Sequence, residues 1–216
     1  MIVLTKCIAD GYFAYVYETK VEGIVAKVIY PSKIHLQELI LYQKISAVRC
    51  PYLPRYVDHQ IVQKFKYPEP VYIGGSSKKQ VKTGKALFIA IEYIGSRTLW
   101  HLCQNELSLE QKELIATHCI LALASFRNSS GYDHSDAWMP NFVLKSTKEM
   151  TVKSCINGVK FDVPVLEGGV YPVIIDFGLS QPLNAVQKRR DKEHVFDQLD
   201  LVYPSSFREF LKKYIY

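Results

Sequence analysis

The chain has 216 residues, of which 48% are hydrophobic and 22% charged, and its mean hydropathy is −0.03. That balance excludes general disorder and a collagen-like repeat, and the length suffices for one large core or two small ones. Twenty-seven Lys and Arg against 21 Asp and Glu leave a formal net charge of +6, a mild excess that suits an acidic or phosphorylated partner and does not by itself indicate nucleic acid.

The first apolar run, Met1–Leu4, is too short for the core of a signal peptide, and no run approaches the roughly 20 residues that span a bilayer. The first thirty residues read as strands: Tyr12–Tyr17 and Ile24–Tyr30 mix aromatic and β-branched residues on either side of a Glu22-Gly23 turn. Over Ile34–Val48 the period changes, and Leu36, Leu39, Ile40, Tyr42 and Ile45 fall at helical spacing after Pro31-Ser32. Tyr52–Val62 is expected as short strand pieces, broken by Pro51 and Pro54. Tyr67–Gly84, with two prolines, three glycines and three lysines, reads as a surface loop, a solvated hairpin connection. Ala86–Ile94 reads as a buried strand. Ser108–Phe126 reads as a helix, with Ser108 and Glu110-Gln111 at its start and Leu114, Ile115, His118, Leu121, Ala122 and Ser125 on one face.

Beyond that helix a loop, Gly131–Asn141, leads to strand material over Asn141–Lys145, a polar insertion ending at Pro172, and a short apolar strand, Val173–Phe177. His194–Tyr216 reads as two short helices separated by Tyr203-Pro204. Strands with one helix, followed mainly by helices, predict an α+β protein in which a small β-rich lobe packs on a helical one. The five cysteines (Cys7, Cys50, Cys103, Cys119, Cys155) are odd in number and scattered, with no CxxC pair. Reduced thiols of an intracellular compartment are expected, not a disulfide framework or a structural zinc site.

Three separated features carry chemistry. Lys27 follows Val25-Ala26 on a predicted strand. A lysine turned into a sheet's inner face is costly unless it meets an anion, and Glu38, eleven residues on along the helix, can pair with it. His134-Ser135-Asp136-Ala137-Trp138-Met139-Pro140-Asn141 sets an aspartate and an asparagine five residues apart. Asp136 can accept the proton of a hydroxyl, and Asn141 can offer a hard carbonyl oxygen to Mg²⁺. In Ile174-Ile175-Asp176-Phe177-Gly178 a carboxylate sits at the end of an apolar strand, and the glycine lets the chain turn sharply. Singly, each has a plain structural alternative: surface charge for Lys27 and Glu38, a turn cap for Asp136, chance for Asp-Phe-Gly. In this order they converge on phosphoryl transfer. His118 is expected to be a core histidine making one hydrogen bond, and His134 a brace for its loop. The 15 tyrosines read as core packing, and Cys119 and Cys155 as small hydrophobes.

In this order and context the chain resembles the protein-kinase superfamily over nearly its whole length. Val25-Ala26-Lys27 is similar to the strand motif carrying the nucleotide-phosphate lysine, and Glu38 to its helix partner. His134-Ser135-Asp136 with Asn141 resembles the catalytic loop HxDxxxxN, and Asp176-Phe177-Gly178 the metal-binding DFG. Glu92-Tyr93-Ile94-Gly95 resembles the hinge that hydrogen-bonds adenine, with Ile91 at the gatekeeper position. Asn141-Phe142-Val143-Leu144 and Ile175-Asp176-Phe177-Gly178-Leu179-Ser180 are most similar to the casein-kinase branch and its relatives. The resemblance implies a two-lobed kinase-like fold. Residues 1–94 would form an N-lobe of a five-stranded sheet plus one helix. Residues 95–216 would form a reduced helical C-lobe with the catalytic loop, a hairpin insertion and the DFG segment. ATP and Mg²⁺ are the implied cofactors. Gly11, Phe13, Val16, Ala26, Lys27, Glu92 and Ile94 would surround the nucleotide, Asn141 and Asp176 would hold the metal, and Asp136, Lys27 and Glu38 would form the catalytic set.

The departures from the family pattern carry information too. Where kinases have GxGxxG, Ala9-Asp10-Gly11-Tyr12-Phe13-Ala14 keeps the middle glycine, while Phe13 and Val16-Tyr17 keep the rest of the pattern; the Gly11 backbone is expected to approach a phosphate. The short spacing from Lys27 to Glu38 requires the helix to begin almost at once. Ser135 replaces the arginine that reads a phosphorylated activation loop, so control by that phosphorylation is not expected. Trp138 replaces a lysine that would neutralise γ-phosphate charge. Forty residues from Asp136 to Asp176 place an insertion at roughly Ser146–Pro172, and only 38 residues, without an Ala-Pro-Glu motif, follow Gly178. That truncation resembles the compact kinase of the KEOPS tRNA-modifying complex and the small kinases of large DNA viruses, with Asp191–Leu211 more similar to the viral group. The likeness implies an intracellular place, cytoplasmic or nuclear in a host cell.

The activity implied is that of a serine/threonine protein kinase moving the ATP γ-phosphate to a protein hydroxyl, with an acidic or phosphorylated protein as substrate and an activating partner as an option. The Lys188-Arg189-Arg190 run reads first as a solvated loop and, more sharply, as a docking patch for such a substrate. Two other readings stay open. One is a pseudokinase that engages a partner protein, favoured by Ser135, Trp138 and the eroded glycine loop. The other is a small-molecule or partner-dependent kinase or ATPase.

Overall fold

The computed structural model describes residues 1–11, 14–72, 80–183, 190–199 and 201. Phe13 of the expected nucleotide set, Lys188 and Arg189 of the basic run, and the Tyr203-Pro204 helix break lie outside the described residues. The fold is α+β, in two compact units: Met1–Gln43 with Arg55–Tyr93, and Lys44–Pro54 with Ile94–Tyr216. The division thus falls one residue before the expected boundary and assigns residues 44–54 to the second unit.

The first unit is built on a five-stranded antiparallel sheet of order β1-β2-β3-β5-β4. Its strands are β1 (Leu4–Asp10), β2 (Ala14–Thr19), β3 (Ile24–Ile29), β4 (Tyr56–Tyr72) and β5 (Gln80–Glu92). Helix α1 (Lys33–Ser46) follows β3. Val25–Ile29 are buried without a break, as expected of a strand covered on both faces. One face carries Tyr15, Val28, Tyr67, Ala86 and Phe88, joined by edge-to-face contacts of Phe65 with Tyr67 and Phe88 at 5.0 and 5.3 Å. The other face carries Lys27, over which α1 places Glu38.

Two expectations are corrected here. The hairpin expected at Tyr67–Gly84 joins β4 and β5, but its strands run further than a loop would allow: β4 continues to Tyr72, β5 starts at Gln80, and Tyr67 is fully buried with its hydroxyl donating to Lys85 O at 2.7 Å. The prolines are tolerated because β4 is the sheet's edge and its register shifts between Lys66 and Val71, around Pro68 and Pro70. Nor do Leu36 and Ile40 face inward. The buried positions of α1 are His35, Glu38, Leu39, Leu41, Tyr42 and Ile45, because pairing Glu38 with Lys27 sets the helix rotation and turns residues two positions away outward.

The second unit is organised by α3 (Leu109–Ser130), which ends four residues later than expected. Ser108 Oγ accepts the Gln111 N–H, the Gln111 side chain accepts the Ser108 N–H, and Gly131, at φ 77°, ends the helix. Ala116 and Cys119–Phe126 are buried all round, the pattern of a central helix. Around it lie α2 (Leu99–Leu102), β6 (Tyr132–Asp133), a 3-10 turn (Met139–Asn141), β7 (Phe142–Ser146), β8 (Thr151–Ile156), β9 (Val159–Pro164), β10 (Val170–Ile174), β11 (Gln181–Pro182) and α4 (Arg190–Gln198). β7 pairs with β10, β6 with β11, and β8 with β9. The expected insertion is the β8–β9 hairpin, closed at Asn157-Gly158 with φ 51° and 81°, the left-handed pair a two-residue hairpin turn demands. His118 makes two hydrogen bonds, not one: Nε2 donates to Pro164 O at 2.8 Å, which leaves Nδ1 to accept from the Tyr52 hydroxyl at 3.0 Å. Burial lowers its pKa from the ordinary value of 6.5. Among the described residues no helix is long and apolar enough to cross a membrane.

Candidate active site

In the first unit Lys27 has Glu38 and Val16 beside it. Its Nζ lies 2.6 Å from Glu38 Oε1, with the two side chains 11% and 1% exposed. Strand alternation decides what shares their face. Lys27 sits opposite Val16 and Ile89, and Val25, on the same face, sits opposite Ile91. Ala26 is opposite Tyr17 and Ala90 and so belongs to the other face, a correction to its expected place beside the nucleotide. Val25, two before Lys27, is the β3 residue that shares its face. The Gly11 N–H is committed to Ala14 O at 2.8 Å and is not held open for a phosphate. Glu92 closes β5; its N–H donates to Arg55 O at 2.8 Å and its carboxylate accepts the Arg55 N–H at 3.3 Å. Ile94 opens the longer of the two stretches of the second unit.

In the second unit two stretches about 40 residues apart in sequence, Asp136–Asn141 and Asp176, come to one end of the β7–β10 ladder. Phe142 pairs with Ile174, and the next rung is the Ile175 N–H donating to Asn141 O at 2.9 Å, so Asn141 and Asp176 leave the same end. Asn141 Nδ2 donates to Asp136 Oδ2 at 2.8 Å and to Asp136 O at 2.9 Å. Both amide hydrogens are therefore directed at Asp136, and Oδ1 is the atom left to present to a cation. Asp176 lies two residues past β10, at φ 63°, with its Oδ1 accepting the Gly178 N–H at 3.4 Å. Ser135 is likewise left-handed at φ 65°. Among the described residues the third non-glycine of this kind is Asn157 in the hairpin turn; of the other two, Asp176 is itself a candidate site residue and Ser135 adjoins Asp136, and backbone strain of this kind is found at functional sites.

The scaffold behind these groups is aromatic. Phe177 stacks on Phe126 with centroids 4.6 Å apart and planes at 5°, and His134 meets both rings edge-on at 5.7 Å. His134 Nε2 donates to Ile175 O at 2.9 Å, tying the Asp136 loop to the residue before Asp176. Trp138 N–H bonds Asp136 O at 2.9 Å and Asn141 N–H bonds Trp138 O at 2.8 Å, which winds the loop into the 3-10 turn. An amide oxygen and a carboxylate are hard donors that fit Mg²⁺, an ion that keeps several of its waters. Among the described residues no three His, Cys, Asp or Glu side chains cluster as a chelating group. Neither a scan against protein-family models nor a search among curated proteins found a match to this chain.

Proposed function

We propose that the chain is a compact serine/threonine protein kinase with a two-lobed kinase-like fold, transferring the γ-phosphate of ATP to a protein hydroxyl. The observation that carries the reading is the meeting of Asp136, Asn141 and Asp176 at one strand end, in the chain order of HxDxxxxN and DFG. Lys27, fixed by Glu38, would contact the α- and β-phosphates. Asp136, oriented by Asn141 Nδ2, would accept the hydroxyl proton. Asn141 Oδ1 and the Asp176 carboxylate would hold Mg²⁺, which when bound neutralises phosphate charge. Little covalent chemistry is asked of the protein, so positioning and charge would supply most of the acceleration.

Asp176→Asn tests this. It removes one charge without removing volume and is expected to abolish transfer from labelled ATP and to shrink the Mg²⁺-dependent stabilisation by nucleotide in a thermal melt. Full turnover by this variant would sink the reading. A second reading, the partner-engaging pseudokinase, is favoured by Trp138, half-exposed where a cation is expected and packed on His194 at 4.0 Å. Nucleotide-dependent stabilisation of the wild-type chain without any transfer would select it.

A further inference from the structure

Helix α4 contributes no group to the proposed chemistry, yet its last residue reaches into the Asp136 loop. Gln198 Oε1 accepts the Met139 N–H at 2.9 Å, and Nε2 donates to Ala137 O at 3.1 Å and to His194 O at 3.0 Å. The two peptide groups held in this way are those on either side of Trp138. Ala137 and Met139 are 1% and 2% exposed, so water would not replace Gln198 at either group. Trp138 itself is 52% exposed and rests edge-to-face on His194, one turn back along α4. A primary amide fits this job because it offers one acceptor and two donors on a planar fork. A carboxylate would set an oxygen against Ala137 O, and an aliphatic side chain would leave both peptide groups unpaired.

We infer that Gln198 is the positioning residue of the Asp136 loop, holding through Ala137 and Met139 the turn that carries the proposed base. The kinetic consequence rests on the kinase reading, whereas the geometry does not. The same stretch of chain also holds the loop on its other side, where Gln181 and Pro182 of β11 pair with Asp133 and Tyr132 of β6. The Asp136 loop is thus held from both sides, by Gln198 on one and by the β6–β11 pairing on the other, where the Arg127–Asp133 ion pair at 3.5 Å adds to it.

Gln198→Leu and Gln198→Glu in the full chain, each repeated in a Trp100→Phe background that leaves Trp138 as the sole tryptophan, test the inference. For Gln198→Leu, kcat is expected to fall about a hundredfold while KM for ATP moves less than about threefold, since Lys27 is untouched. Acrylamide quenching of Trp138 fluorescence is expected to rise in both variants. Gln198→Glu keeps the shape and the acceptor, and serves if the leucine variant does not fold. A role confined to packing would lower the melting temperature yet leave kcat, measured well below it, and Trp138 quenching unchanged; that result in a folded variant overturns the inference. Absence of transfer by the wild-type chain would sink the kinase reading instead, and Trp138 quenching alone would then decide on Gln198.

Discussion

Lys27 and Glu38 depend on each other more than they stabilise the fold. Burying both charges offsets most of their attraction, whereas deleting one strands the other, at a cost of about 3–5 kcal/mol. Glu38→Gln is therefore expected to lower unfolding stability by an amount of that order. The double variant Lys27→Met/Glu38→Leu is expected to recover most of it and still transfer no phosphoryl group. Denaturant melts and a transfer assay on the three proteins check this; equal losses in the single and double variants would show that stranded charge is not the cause. Trp138 poses a different question at the same scale. Trp138→Phe keeps a ring against His194 and is expected to leave rate and melting temperature unchanged. Trp138→Lys is expected to raise kcat on a protein substrate by up to about tenfold, because it places positive charge near the transferring group. If lysine lowers both rate and stability while phenylalanine lowers neither, packing governs that position. Residue type and spacing were enough to nominate Lys27, Glu38, Asp136, Asn141 and Asp176. They misplaced Ala26, because a difference of one residue in a strand exchanges its faces.

Among elements, α3 was read well from a local signal. Ser108 with Gln111 marks the start of α3, whereas Asn157-Gly158, an equally local signal, went unread as the turn of the inserted hairpin. The length of β4 was hidden because prolines and glycines argue for a loop unless the strand is known to lie at an edge, and edge position is a property of the whole sheet. The alternation of Phe65 and Tyr67 with Lys64 and Lys66 was the signal that could have shown it. His118 joins α3 to the hairpin and to Tyr52 in its neutral form, with a pKa depressed by burial. Below about pH 6.5 the unfolded chain takes up a proton that the folded chain refuses, so stability present above that pH is lost as pH falls towards the depressed value. Thermal melts from pH 8 to pH 5 are expected to show this loss, and His118→Gln, which can still donate to Pro164 O, is expected to flatten the slope between about pH 6.5 and pH 5. An unchanged slope would mean that other groups set the acid limit.

At the scale of the whole molecule, the Asp136 loop is held by β11 on one side and by Gln198 on the other. Ser180 in the segment after Gly178 is buried, and its N–H bonds Phe177 O at 3.2 Å. Phosphatase treatment of active protein is accordingly expected to leave the rate unchanged; a large loss, restored by rephosphorylation at Ser180, would overturn that view. The pairing of β6 with β11 and the reach of Gln198 have a consequence for biosynthesis as well. Residues 132–139 leave the ribosome some fifty to sixty positions ahead of the residues that hold them. At about 5–20 residues per second, several seconds separate the two events. A nascent chain that has already emerged past Asp176 therefore carries the proposed acid groups on a loop without its supports, and competence for the reaction arrives late in translation, with residues 181–198.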